Sequence, residues 1–428
     1  MSPSAVRARS PWAWIPSLYL AEGLPYVVVM TVSVVMYKGF GVSNTDIALY
    51  TSWLYLPWVV KPLWSPVVDL LGTRRRWIWV MQLAIGGGLA GVALTVPAPD
   101  FFRWTLAFFW LLAFNSATHD IAADGFYLLA TTERQQAFFV GVRTLFYRVA
   151  TIAGQGLLVM LAGELQERTG DPKRAWSTVM AALAALFVLL GLWHRFVLPR
   201  PDADRAGEAR QVPQFVRAFL ATFGAFFRKP RIGVLLAFLL VYRLGEAQLV
   251  KMVAPFLLDE RARGGLGLTT TQVGFVYGTV GIVALTLGGI LGGMTIARFG
   301  LRPWLWPMML SIHLPDALFI WLAHAQPENL ALIQLCVAGE QFGYGFGFTA
   351  YLMVMIHISR GEHATAHYAI CTGFMALGMM IPGMWSGWLE DRIGYLAFFT
   401  WVLISTLPCF LVAPWVPIEE GFGRRTKA

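Results

Sequence analysis

The chain has 428 residues, of which 57% are hydrophobic and 13% charged, and its mean hydropathy is +0.60. Soluble domains are about a quarter charged, so the composition excludes a soluble globular protein and points to a polytopic membrane protein. The formal charge of +9 is no nucleic-acid footprint, because Lys and Arg gather in short loops on one side of the predicted spans.

The N-terminus "MSPSAVRARSPW" is basic but lacks a small-residue cleavage site, and the apolar run over 12–37 is too long for a signal peptide. Runs of spanning length follow over 46–68, 77–97, 103–129, 138–163 and 175–198. After a polar break come 231–258, 271–294, 303–324, 329–357, 367–388 and 395–416. Twelve spans put both termini on one side. With that side cytoplasmic, 20 Lys/Arg fall inside, eight outside and five within spans, so the positive-inside rule predicts N-in and C-in. The 18 Trp and 30 Phe suit aromatic belts at the two interfaces.

The break divides the chain into an N-terminal six-helix half over 1–198, a cytoplasmic linker over 199–230, and a C-terminal six-helix half over 231–428. In the linker, "PRPDADRAGEARQVP" is solvated by composition. Phe215, Phe219, Phe223 and Phe226 then recur at helical spacing, predicting an amphipathic helix on the cytoplasmic face. Cys336, Cys371 and Cys409 lie in apolar runs without metal-like spacing, so neither a disulfide framework nor a metal site is expected.

Ionisable residues at membrane depth are functional candidates. The first half holds Glu22, Lys61, His119, Asp120, Asp124, Arg143 and Arg148; the second holds Arg243, Glu246, Lys251, His313, Asp316 and Glu340. Lys61 and Asp316 fall near span edges, where snorkelling suffices, and His313 and His357 read as structural. Glu22 and Glu246 occupy the first and seventh spans as candidate repeat counterparts facing a cavity between the halves. His119 and Asp124 form an H-x4-D pattern, which membrane acyltransferases use as a catalytic dyad. At about 100° per residue, however, Asp120 and Asp124 share a face while His119 and Asp124 are about 140° apart. A catalytic dyad therefore needs a departure from regular helix. The glycine-rich "AGEQFGYGFGFTAY" has neither a lysine nor a preceding strand, which excludes a phosphate loop.

A carboxylate at membrane depth is pulled one way by desolvation and the other by a nearby Arg. Protonation releases the Arg, which can then hold an anionic group. Glu22, Asp120, Asp124 and Glu246 are the candidate proton carriers, with Arg143 and Arg148 as cationic partners; static ion pairs stapling the bundle are the alternative.

Short repeats organise the whole. "SPVVDLLGTR" (65–74) and "GMTIARFGLR" (293–302) follow the second and eighth spans; "GELQERTG" (163–170) and "GWLEDRIG" (387–394) follow the fifth and eleventh. Four copies of a small-x3-acid-basic-x-Gly pattern, with Leu70 and Ala297 as its lapses, imply three-span repeats nested in six-span halves. This resembles the major facilitator superfamily, whose loop signature is G-x3-D-R-x-G-x-R/K. The resemblance implies an all-α fold of two six-helix halves related by a pseudo-two-fold axis, and a gating latch that includes Asp69, Arg74 and Arg298. The plainer reading is that these residues terminate helices and fix topology.

Within that superfamily, "YLAEGLPY" (19–26), "HDIAADGFY" (119–127), "ERQQAFFVGVRTLFYR" (133–148), "VYRLGEAQ" (241–248) and "APFLLDE" (254–260) resemble the AmpG-type muropeptide permeases. Asp120, Asp124, Tyr147, Arg148, Tyr242, Arg243 and Glu246 fit that family's pattern, with Glu for Asp at the last. Tyr127 and His119 depart from it, and Arg143 is an added cation. The resemblance implies a monomeric importer of the bacterial inner membrane, surrounded by lipid, that moves cell-wall fragments with protons and needs no cofactor. Tyr19, Tyr26, Trp53, Arg143, Tyr147, Arg148, Arg243 and Glu340 are the candidate substrate-binding residues, aromatics for sugar rings and cations for carboxylates. Carriers of simple sugars or acetyl-CoA, a non-transporting sensor and a membrane acyltransferase are the competing readings.

Overall fold

In a bilayer every backbone N–H and C=O must find its partner within the protein, and a helix does this inside one segment. The apolar runs accordingly fold as helices throughout the computed structural model, which describes residues 10–205 and 212–424 apart from the side chains of residues 66, 69, 70, 212–216, 218 and 219. In the first part of the chain these are α1 (Ile15–Val27), α2 (Ser33–Gly39), α3 (Asn44–Trp53), α4 (Leu56–Leu71), α5 (Arg74–Thr95), α6 (Phe101–Ala130), α7 (Glu133–Ile152), α8 (Val159–Thr169) and α9 (Pro172–Val197). Then come α10 (Val212–Phe227), α11 (Ile232–Val241), α12 (Leu244–Leu258), α13 (Thr270–Val273), α14 (Ile282–Phe299) and α15 (Leu305–His313). The last are α16 (Ala317–Ala325), α17 (Leu330–Ser359), α18 (Ala364–Ser405) and α19 (Leu407–Val412).

Local chemistry sets the boundaries. Thr132 and Gln135 form a capping box that starts α7, and Thr269 and Gln272 do the same for α13. The Ser43, Thr73, Asp171 and Asn329 side chains accept the first orphan backbone N–H groups of α3, α5, α9 and α17. Inside α18, Gly394 has φ 74° and ψ 163° and breaks the helix in two, a conformation that glycine adopts without a Cβ penalty.

Nine helical stretches among the described residues are long and apolar enough to cross a membrane. Their outer faces carry bare leucines, such as Leu94 at 80% exposure and Leu411 at 73%. Such side chains need an apolar surround, and lipid supplies it.

The chain forms two compact units. Among the described residues the first comprises 10–29, 63–154, 165–205 and 212–215, and the second 30–62, 155–164 and 216–424. The chain passes from the first to the second at 29/30, 154/155 and 215/216, and the first two crossings fall in π-helical turns, Val28–Val32 and Ala153–Leu158.

In the first unit α5 packs between α6 and α9, and α1 packs on α6 and α7. Trp14, Leu18, Tyr19, Ile121, Phe126 and Tyr127 make a common core there. In the second unit α17 packs against α14 and α15, while α18 packs against α3 and α12. α10 is a helix of its own, separated from α11 by Arg231 in the left-handed region at φ 56°. Its Phe226 is fully buried and stacks on Phe374 near the start of α18, with ring centroids 6.5 Å apart.

Candidate functional site

α6 runs 30 residues without interruption, so Asp120 and Asp124 lie one turn apart on one face. α1 contributes Tyr19 and Glu22, three residues apart, and α7 contributes Arg143 and Tyr147, four apart; both spacings share a helix face. In the first unit these meet. Arg143 Nη2 donates to Asp124 Oδ1 at 2.6 Å, and the Tyr19 hydroxyl donates to the same oxygen at 3.3 Å. The Arg143 guanidinium also lies over the Tyr19 ring at 4.6 Å and the Tyr127 ring at 5.2 Å, positions in which the ring quadrupole attracts a cation.

Glu22, Asp120 and Asp124 each place a carboxylate oxygen within 4.8 Å of the others. Glu22 is buried, whereas the side chain of Asp124 is 44% exposed and that of Arg143 28%. Arg143 thus pairs with Asp124, and Glu22 and Asp120 bring their carboxylates to the same place. Tyr26, Glu22, Asp120 and Arg148 are the charged and phenolic neighbours of Tyr147. The Tyr147 ring and carbonyl lie against Gly23 of α1. Tyr127, a departure from the expected family pattern, donates its hydroxyl to the Gln136 carbonyl at 2.7 Å and ties α6 to the start of α7.

His119 turns the other way, as helical phase predicts. It bonds Gln82 at 2.9 Å; Gln82 bonds His194 at 2.8 Å, and His194 bonds Ser17 at 2.9 Å. This buried polar chain links α1, α5, α6 and α9 and removes His119 from Asp124. Gln82 and His194 were not singled out from sequence, although each is a polar residue in an apolar run and could have been.

Of the expected gating residues, Arg74 lays its guanidinium against Gly125 of α6, where a Cβ would fall 1.2 Å from Nη1. The backbone N–H groups of Arg74 and Arg75 donate to the Asp204 carboxylate at 2.7 and 3.0 Å, so Asp204 caps α5. Arg298 is exposed at the end of α14 with its guanidinium 5.1 Å from the Phe299 ring. The side chain of Asp69 lies outside the described residues.

The second unit holds a polar cluster of its own. Arg243 Nη2 donates to the Tyr344 hydroxyl at 2.5 Å and lies 4.9 Å from the Phe348 ring centre. Glu246, Asp316 and Glu340 bring carboxylate oxygens within 4.8 Å of one another, and all three residues are at most 1% exposed. The sequence reading of Asp316 as a snorkelling residue is corrected here. The one-turn 3-10 segment Leu314–Asp316 breaks α15 from α16 around Pro315, and the acid turns inward. Lys251 donates to Thr51 Oγ1 at 2.8 Å. Trp53, at the end of α3, is 40% exposed.

The repeat copy "GWLEDRIG" also acquires a physical role in this unit. A Cβ on Gly387 would fall 1.9 Å from the Asn44 carbonyl oxygen, so only glycine lets α18 approach α3 so closely. Asp391 Oδ2 accepts from Thr45 N and Oγ1 at 3.0 and 2.5 Å. Asn44 Nδ2 donates to Glu390 at 2.6 Å and to the Tyr395 hydroxyl at 3.0 Å, while Tyr395 donates to Asp259 at 2.6 Å. Lys38 pairs with Asp259 at 2.6 Å, with side chains 9% and 10% exposed. These groups line a cavity of about 520 Å³. Lys38, Asn44 and Asp259 are loop or helix-end residues that no periodicity marks.

A family model described as Major Facilitator Superfamily matches residues 17–381. A putative transporter AmpG 4 of Rickettsia conorii is 24% identical over 408 residues, spanning 92% of this chain and 94% of that protein. An anhydromuropeptide permease of Escherichia coli is 23% identical over 424 residues, spanning 96% of this chain and 82% of that one. Among solved structures, the xylose transporter XylE from Escherichia coli in an inward-open conformation matches with a TM-score of 0.67 at 12% identity, covering 95% of this chain and 96% of that chain. That last likeness is one of fold.

Proposed function

The chain belongs to the major facilitator superfamily, and from that premise we propose that it imports cell-wall muropeptides together with protons by alternating access. It is a multi-pass membrane transporter of small molecules and not an enzyme. The proposed cargo is an amino sugar pair with or without a peptide, GlcNAc–anhydroMurNAc being its core, and the proposed setting is the bacterial cytoplasmic membrane.

The observation that carries the reading is the Arg143–Asp124 pair, framed by Tyr19 and Tyr127 and flanked by Glu22 and Asp120. A muropeptide brings carboxylates that need a cation and sugar rings that stack on aromatics. In the proposed cycle, protonation within the acid group frees Arg143 for the substrate carboxylate, and loss of the proton to the cytoplasm lets Asp124 reclaim it. Tyr26, Tyr147 and Arg148 complete the binding surface in this reading. Trp53, Arg243 and Glu340 contribute from the second unit, with Glu246 as a second proton carrier. The named relatives add support to the cargo.

The proposed topology is twelve spans in two six-helix halves, 1–198 and 231–428, joined by the cytoplasmic linker 199–230 with both termini inside. It adds α3–α4, α6 and the division of α18 at Gly394 to the nine apolar stretches. Asp69, Arg74 and Arg298 act as gating residues in this scheme, and the transporter works as a monomer. Uptake of labelled GlcNAc–anhydroMurNAc into inverted and right-side-out vesicles tests it. Accumulation that collapses with the pH gradient is the expected result. Uptake indifferent to the gradient removes the proton coupling, and no uptake removes the cargo.

A further inference from the structure

The carboxylates of Glu246, Asp316 and Glu340 pose a problem of buried charge. Arg143 pairs with Asp124 in the first unit; in the second, both oxygens of Glu246, both of Asp316 and one of Glu340 are buried without a hydrogen-bond partner. The remaining Glu340 oxygen accepts from Gln341 Nε2 at 3.0 Å. Leaving buried acceptors unsatisfied carries their full desolvation penalty, which is larger when they are charged. A fold does not assemble five of them at one point from α12, the Leu314–Asp316 turn and α17 unless something fills the centre.

We propose that Glu246, Asp316 and Glu340 form a binding site for a hard, oxygen-liganded cation of the size class of Ca²⁺ and Na⁺. The donors are all carboxylate oxygens, which select hard cations over the thiophilic and imidazole-binding metals. Their spread also fits. Oxygens up to 4.8 Å apart lie at opposite sides of an ion with metal–oxygen distances of about 2.4 Å, as for Ca²⁺, whereas Mg²⁺ requires contraction to about 2.1 Å. An ion at the centre engages one oxygen of each acid together, while each proton bridges only one pair.

Charge favours the divalent ion. Three ionised acids carry three negative charges. Arg243 stands at the break just before α12, three residues ahead of Glu246, and its guanidinium is directed along the α17 face that carries Glu340, Tyr344 and Phe348 at four-residue spacing. One cationic neighbour leaves two charges to neutralise. Lys251, the cation on α12 itself, is engaged elsewhere by Thr51 and the Tyr55 ring.

The site concerns Glu246, which the transport reading treats as a proton carrier, so the test uses binding and not uptake. The full-length protein, purified in detergent and stripped with chelator, is titrated with CaCl2, MgCl2 or NaCl against choline chloride at constant ionic strength. Thermal unfolding and Tb³⁺ luminescence sensitised by nearby tyrosines are followed. The expected result is a saturable rise in Tm with Ca²⁺ or Na⁺, stronger than with Mg²⁺, together with sensitised Tb³⁺ emission displaced by the same ion. Asp316→Asn and Glu246→Gln, which keep shape and remove charge, each weaken binding at least tenfold while the protein remains folded by circular dichroism. No saturable response to any of the ions overturns the proposal, as does a response that survives in the double variant Glu246→Gln/Asp316→Asn. If these variants fail to fold, displacement of Tb³⁺ from the unaltered protein still decides it. Vesicle uptake stands or falls separately.

Discussion

Arg143 and Asp124, nineteen residues apart on α7 and α6, meet in a 2.6 Å charge-assisted hydrogen bond beneath the Tyr19 hydroxyl. The pair leaves the guanidinium beside two phenol rings that meet edge to face, and that placement separates the role of charge from that of shape. Arg143→Lys keeps the charge but loses the planar fork, while Arg143→Ala loses both. Vesicle uptake is expected to fall at least about tenfold for Ala, in line with the loss of a charge-assisted bond, and to recover only partly with Lys. Equal rates for the three proteins would remove Arg143 from the substrate path.

Asp124→Asn addresses the other partner. It keeps the shape while releasing Arg143 permanently. We expect substrate to bind without a pH gradient while accumulation against one is lost. The measurement is equilibrium binding of labelled ligand beside concentrative uptake, and a variant that still concentrates its cargo would exclude Asp124 as the coupling acid.

The Lys38–Asp259 pair is a stability test. Removing one member of a buried ion pair costs about 3–5 kcal/mol, while replacing both by apolar groups is often neutral. Lys38→Met alone should lower Tm by several degrees in detergent, and Lys38→Met with Asp259→Leu should regain part of the loss. The regain is limited because Tyr395 and Asn44 also use Asp259.

Gly387→Ala places a methyl where the Asn44 carbonyl stands. Backbone cannot yield as a side-chain tip does, so the cost is that of overpacking, about 1–3 kcal/mol. Gly39→Ala, which meets nothing within 4 Å, is the control and should leave Tm unchanged. Thermal melts of both variants decide it.

Gly125→Ala should displace the Arg74 guanidinium from α6. If Arg74 matters to transport through that contact, Gly125→Ala and Arg74→Ala will not add in a double-mutant cycle on uptake rate. Full additivity would assign Arg74 to topology alone.

Much of the first-unit site was legible because it depends on helical phase. Asp120 and Asp124 share a face by their spacing, and His119 is turned from them by the same arithmetic; the His119–Gln82–His194 chain is where that residue goes. Asp316 was misread because a proline-centred turn in mid-span resets the phase, so a residue counted toward the edge is aimed inward. Asn44, Asp259 and Glu390 were invisible for a different reason. They come from α3, the end of α12 and α18, and the close approach of α18 to α3 at Gly383 and Gly387 brings them together. The repeat motif marked Gly387 and the acids after it without revealing what they hold.

The three cysteines carry a practical consequence. Cys336, Cys371 and Cys409 are all free and buried, at 6% exposure or less. A membrane-impermeant maleimide added to the folded protein therefore meets a nearly silent background. Single cysteines placed at exposed loop positions can report which face of the membrane each occupies in the otherwise unaltered chain, without a prior cysteine-less version that would disturb three packed sites.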